Sequence, residues 1–255
     1  MNSARPLAGL NVVVTRPREQ AAQLAQRIEQ AGGRATLFPL LEISAADPQP
    51  LHDAIARLAA FDLAVFISPN AVRYGMPPIL AAGPLPPQLK IATVGQGSAR
   101  ALRELGVREI IAPQDRFDSE ALLALPELQH VAGWQVAIFR GDGGRELLGD
   151  TLAARGATVA YIECYRRSRA QPQAPLPVAG IDAISVTSSE ALRYLWELPD
   201  AAAHGQLISI PLFVPHPRIA TAARELGWRE VVLAAGGDDG LLSGLIAWAK
   251  HRNQP

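Results

Sequence analysis

The chain has 255 residues, enough for one large domain or two ordinary ones, and its 49% apolar and 19% charged residues are globular rather than disordered in composition. Lysine plus arginine equals aspartate plus glutamate at 24 each, so there is no basic excess for broad nucleic-acid or anionic-membrane binding. The single cysteine, Cys164, excludes an intramolecular disulfide and a cysteine-rich metal site. No apolar run approaches the roughly 18 residues of a membrane span, and the first residues lack the apolar stretch of a secretory signal. A reducing cytoplasm is the expectation.

In chain order, short β-rich runs alternate with longer helical patterns, the grammar of βα units around parallel sheets. Asn11–Thr15 reads as a buried strand; Pro17 then opens a helix carrying Ala21, Leu24, Ala25 and Ile28 at helical spacing, and Gly32–Gly33 stops it. Further strands are expected at Leu63–Ile67, Ile91–Val94, Val136–Phe139, Ala183–Val186 and Leu212–Val214. Phe38–Ser44 and Ala160–Arg167 are strand-like but break the alternation. Pro77–Pro87 and Gln171–Pro177 read as loops, because proline removes donors and fixes φ, and His251–Pro255 reads as a frayed tail.

Three βα units occur twice in the same order. Asn11-VVVTRP aligns with Gln135-VAIFRG at an offset of 124 residues, Asp62-LAVFISPNAVRYG with Asp182-AISVTSSEALRYL at 120, and Ala101-LRELGVREII with Ala222-ARELGWREVV at 121. Three matches in series predict a duplicated architecture.

In parallel α/β sheets ligands bind beyond the carboxyl ends of the strands, where helix N-termini present free N–H groups. Here those junctions hold Thr15-Arg16-Pro17, Ser68-Pro69-Asn70, Gly95-Gln96-Gly97-Ser98, Arg140-Gly141-Asp142-Gly143-Gly144, Thr187-Ser188-Ser189 and His216-Pro217-Arg218. For any single Ser, Thr, Asn or His, helix capping is the simpler reading. Six such junctions together suit a ligand with several carboxylates or phosphates. The Gly95-Gln96-Gly97 run has Arg100 where a dinucleotide motif needs its third glycine, and Arg140–Arg145 lacks the Lys-Ser/Thr ending of a P-loop. The five histidines show no metal-ligand spacing, and no nucleophile elbow surrounds a serine. Cys164 reads as a packed thiol. Tyr161 and Tyr165, four apart in a strand, are expected on one face, where packing competes with proton donation as their purpose. Arg166-Arg167 reads as a solvated strand end or connector.

In their order and spacing, VVVTRPREQAAQLAQRIEQAGG, FPLLEI, FISPNAV, ATVGQGSARAL, RGDGGRELLGDTLAARGATVAYIECYRR, TSSEALRYL and HPRIATAARELG resemble the uroporphyrinogen-III synthase family, from Leu10 to about Leu233. The resemblance implies two similar Rossmann/flavodoxin-like parallel-sheet α/β domains joined by a two-stranded connector. One domain would hold 1–37 and 168–255, the other 45–160, with 38–44 and 161–167 as connector strands and the ligand held between the domains. It implies a cyclising hydro-lyase that closes the linear tetrapyrrole hydroxymethylbilane into uroporphyrinogen III, inverting ring D and losing water, with no metal or organic cofactor. Tyr165 matches the tyrosine that assists loss of the hydroxyl. Ser68, Ser98 and Ser188 match hydroxyl positions of the family's site, Ser98 in place of a more usual threonine, and His216 stands where many relatives have serine. Thr15, Arg16, Asn70, Gly95, Gln96, Arg140, Gly141, Thr187, Ser189 and Arg218 complete the expected substrate-binding set. Two other readings stay open: a non-catalytic two-lobed binding or sensor module for an acidic ligand, and a nucleotide-dependent enzyme, which the broken glycine motif disfavours.

Overall fold

The computed structural model describes residues 5–143, 146–171, 174–176, 178–198 and 201–252. The expectations placed on Gly144, Arg145, Pro172, Gln173, Pro177 and 253–255 therefore lie outside the described residues. The chain divides into two compact units, one of Met1–Glu42 with Ser168–Pro255 and one of Ile43–Arg167.

The first unit contains β1 (Asn11–Val14), α1 (Arg18–Gln30) and β2 (Arg34–Leu37). The chain then runs through β3 (Leu41–Ala45) into the second unit, with α2 (Pro48–Ala56), β4 (Leu63–Phe66), α3 (Pro69–Ala82), β5 (Lys90–Thr93), α4 (Gln96–Glu104), α5 (Ser119–Leu123), β6 (Gln135–Gly141) and α6 (Leu147–Ala154). It returns along β7 (Thr158–Arg169) and completes the first unit with β8 (Ala183–Ser185), α7 (Ser189–Trp196), α8 (Ala201–Leu207), β9 (Leu212–Val214), α9 (Pro217–Glu225), β10 (Val231–Leu233) and α10 (Gly237–Arg252).

The first unit's sheet runs β10-β9-β8-β1-β2, and every pairing in it is parallel. Successive strand side chains point to opposite faces, so a strand buried on both sides reads as a continuous apolar run. Val12 and Val14 pack with Leu24 and Ile28 of α1 and Leu241 and Leu245 of α10, while Val13 packs with Leu192 of α7 and Ile219 of α9. The second unit's sheet runs β3-β7-β6-β4-β5. One of its faces is covered by α2, α3 and α4 through Ala54, Val72, Met76 and Leu102, the other by α5 and α6 through Leu122, Leu148 and Leu152. β4, β5, β6 and β7 are parallel to one another. β3 runs the other way: Ala46 N–H donates to the Cys164 carbonyl at one end, and Ala170 N–H donates to the Leu40 carbonyl at the other. Tyr161, Ile162, Glu163 and Tyr165 are paired along β6, so this stretch is integral to the sheet.

The repeat is distributed across both units. The first takes β1–α1 from the first copy and β8–α7 and β9–α9 from the second; the second unit takes the complements. Equivalent strands occupy equivalent places, β2-β1-β8-β9-β10 against β7-β6-β4-β5, with Ile111 bridging Ala92 where Val232 of β10 pairs Phe213. The paired aspartates do the same work in each copy. Asp182 accepts from Asn11 N–H at 2.9 Å, and Asp62 accepts from Gln135 N–H at 2.8 Å, each anchoring the first amide of the neighbouring strand.

Two sequence expectations fail here. Pro77 and Pro78 lie inside α3 rather than in a loop. Val72, Gly75, Met76 and Ile79 are buried at helical spacing, and this burial outweighs the roughly 3 kcal/mol that a helix-interior proline costs. Gly75 in the same helix lets α3 approach the stacked rings of Phe66 and Phe139, since a Cβ there would stand 3.2 Å from both. His251 and Arg252 are not frayed: they end α10, and Arg252 pairs with Asp182 at 2.8 Å and lies over Trp248.

Candidate active site

The expected site residues lie at the carboxyl ends of the strands. In the second unit, Ser68 follows β4 by two residues, and its extended backbone (φ −157°, ψ 161°) makes it the N-cap of α3; its Oγ accepts the Ala71 amide at 3.1 Å. The same oxygen lies 3.0 Å from the Tyr165 hydroxyl. Asn70 sits half-buried in the first turn of α3. Gly95 holds the N-cap place of α4, followed by exposed Gln96 and buried Ser98. A Cβ on Gly97 would stand 3.4 Å from Pro69, which puts the heads of α3 and α4 side by side.

Tyr165 is 2% exposed, yet sequence alternation places it with Tyr161, which is 38% exposed. The structure separates the two. Arg140 pairs with Glu163 but Gly141 pairs with Tyr165, a register shift at which β7 carries one extra residue. Past the shift, Tyr165 falls on the face of Ile162 and Cys164, in the core beneath α3. Its ring lies 6.1 Å from that of Tyr74. Gly141 makes room for it: a Cβ there would stand 2.7 Å from two of the ring carbons. Tyr161 stays on the opposite face, against Gly149 of α6, with the Arg140 guanidinium 4.7 Å from its ring centroid. Burial raises the Tyr161 hydroxyl above its ordinary pKa, and nearby Asp150 adds to this.

Three expected ligand contacts are turned inward. Arg140 is 5% exposed and its Nε donates to the carbonyls of Gly141 and Gly143, so it braces the loop after β6. Thr15 is 1% exposed and its hydroxyl donates to the Ser185 carbonyl at 2.7 Å, tying β1 to β8. Ser98 is 2% exposed. Cys164 is the packed thiol expected: burial pushes it up to about 12, and its Sγ lies 3.4 Å from the Arg140 carbonyl.

In the first unit, Ser188 caps α7 as Ser68 caps α3, accepting the Ala191 amide at 3.0 Å. Thr187 and Ser189 flank it, half-buried, and among the described residues the Ser189 hydroxyl has no hydrogen-bond partner. Arg16 pairs with Asp238 at the head of α10. His216 occupies the N-cap place of α9 but makes no side-chain cap bond, against the capping expectation, and it and Arg218 are exposed. Imidazole lacks the short acceptor geometry that lets serine or aspartate reach the amides of the first turn.

Sequence reasoning missed Arg167. Its Nη2 lies 3.4 Å from the Tyr165 hydroxyl and its Cζ 5.8 Å from the ring centroid. The available signal was the strand period, which sets 165 and 167 on one face. Among the described residues, no group of three or more His, Cys, Asp or Glu is placed to hold a metal ion, and no helix is long and apolar enough to cross a membrane.

A family model described as uroporphyrinogen-III synthase HemD matches residues 22–241. The uroporphyrinogen-III synthase of Escherichia coli K12 is 38% identical over 245 residues, covering 92% of this chain and 100% of that protein. That of Salmonella typhimurium LT2 is 38% identical over 247 residues, again covering 92% and 100%. A crystal structure of a mutant uroporphyrinogen III synthase from the extreme thermophile Thermus thermophilus superposes with a TM-score of 0.63 at 23% identity, covering 96% of this chain and 100% of that one, and shows the same fold. The chain belongs to the uroporphyrinogen-III synthase family.

Proposed function

We propose that this chain is a uroporphyrinogen-III synthase of porphyrin biosynthesis, closing hydroxymethylbilane to uroporphyrinogen III with inversion of ring D and loss of water. This makes it a cyclising hydro-lyase, and a cytoplasmic monomer is the working expectation. The observation that carries the chemistry is the Tyr165 hydroxyl, where β7 leaves its pairing with β6, beside Ser68 just past β4. A phenol held there serves as the general acid. Its proton passes to the substrate's hydroxyl oxygen as the C–O bond breaks, and the bond electrons leave with water. The phenolate regains a proton when the pyrrole carbon that closes the ring gives up its hydrogen. Positioned proton transfer of this kind contributes about 10²–10⁴-fold.

The helix heads that follow β4, β5, β8 and β9 suit the substrate's carboxylates, since their first-turn amides have no intrahelical partner. Asn70, Gly95, Gln96, Gly141, Thr187, Ser188, Ser189, His216 and Arg218 are assigned to this binding, together with Arg16 through its pairing at α10. Thr15, Ser98 and Arg140 are assigned to holding the strand ends in shape. The decisive test is turnover of hydroxymethylbilane with separation of the product isomers. Excess type III over the spontaneous type I product is expected; type I alone would refute the reading.

A further inference from the structure

The end of β7 is fastened by one residue. Asp142, just past β6, donates its N–H to the Tyr165 carbonyl at 3.0 Å, and its Oδ1 accepts the Arg167 N–H at 3.0 Å. Arg166, between the two, turns its side chain to Ser44 on β3. Arg167 shares its strand face with Tyr165, and its guanidinium lies back along that face to the phenol oxygen.

Ser68 Oγ already accepts the Ala71 amide, and the Tyr165 oxygen accepts from Arg167. A guanidinium can only donate, so it cannot take the phenol proton. Of the two hydroxyl protons on Ser68 and Tyr165, one is spent in the 3.0 Å bond between them. The other is left to be offered outward. Were the guanidinium replaced by a neutral acceptor, that proton would be consumed locally.

We propose that Arg167 is a positioning residue for Tyr165: it donates to the phenol oxygen, orients the hydroxyl pair so that one proton faces the substrate, and stabilises the phenolate left after transfer. This rests on the reading of Tyr165 as proton donor. A cation beside the phenolate strengthens as charge develops, so its contribution falls on the chemical step rather than on substrate binding.

The test measures kcat and KM for hydroxymethylbilane with the full-length chain and its Arg167→Gln, Tyr165→Phe and doubly substituted forms, each verified as folded by its thermal melt. Arg167→Gln is expected to lower kcat about ten- to a hundredfold, the range of one charge-assisted hydrogen bond, with KM nearly unchanged. In the Tyr165→Phe background the same substitution should cost nothing further, because the atom it acts through is gone. A raised KM at unchanged kcat would instead make Arg167 a substrate-carboxylate contact and overturn the proposal. So would an equal loss in both backgrounds with Tyr165→Phe itself slow, which leaves the proton-donor reading standing. A wild-type rate for Tyr165→Phe alone would overturn both.

Discussion

The Tyr165 hydroxyl stands 3.0 Å from Ser68 Oγ, and that serine oxygen also takes the Ala71 amide that opens α3. One oxygen therefore supports both the fold, as a helix cap, and the candidate chemistry, as the phenol's partner. The two contributions can be separated by substitution.

Tyr165→Phe removes the phenol oxygen and leaves the ring in its core position between Tyr74 and Gly141. Turnover should fall about 100-fold or more, in line with loss of a general acid, while the thermal midpoint stays near that of the parent. Steady-state kinetics beside a thermal melt checks both; a near-normal rate would move the proton to water or backbone.

Ser68→Ala loses the cap and the phenol's partner together. About 1 kcal/mol of stability should go with the cap, a fall of roughly 2–4 °C in Tm, along with a slower reaction. Ser68→Asp restores an N-cap acceptor but no hydroxyl proton. Its Tm should recover while its rate does not, and parallel recovery of both would tie the rate to helix stability alone.

Gly141→Ala places a carbon 2.7 Å from two ring carbons of Tyr165. The ring must shift, at about 1–3 kcal/mol of overpacking, and its hydroxyl leaves Ser68. The expected outcome is a folded protein with kcat reduced toward that of Tyr165→Phe. An unchanged kcat would show that the hydroxyl need not hold its position.

Cys164 is 4% exposed and its thiol is pushed up to about 12 by burial. Thiol reagents at pH 8 should modify it slowly in the native protein and rapidly in denaturant, because the thiolate is the nucleophile. The linkage has a definite sign. The folded state holds this proton more tightly than the unfolded one, so the thiol's contribution is intact below the ordinary value of 9.0 and declines as pH rises from there toward about 12. Denaturant midpoints measured across that window should fall less steeply in Cys164→Ala than in the parent.

The fold class and the duplication were legible because both are written locally. A strand buried on both faces is an apolar run, a βα junction needs a cap, and a repeat shows itself by alignment. Val12–Val14, Ser68 with Ser188, and Asp62 with Asp182 could be read this way. Short edge strands escaped: β2 (RATL) and β10 (VVL) offer few residues and are only partly buried, so no clear period forms. The prolines of α3 misled for a related reason. Their local cost points to a loop, and burial of Met76 and Ile79 against the sheet is a tertiary gain that no local rule counts.

By itself, the sequence determined two copies of a parallel α/β pattern, the strand ends that carry the candidate binding residues, and Tyr165 as a residue of interest. Tertiary structure decided which face Tyr165 occupies and what it touches. Alternation along β7 depends on unbroken pairing with β6, and the register shift at Arg140 and Gly141 comes from how two strands meet. That shift sends Tyr165 inward to Ser68, leaves Tyr161 outside, and brings Arg167 alongside the phenol.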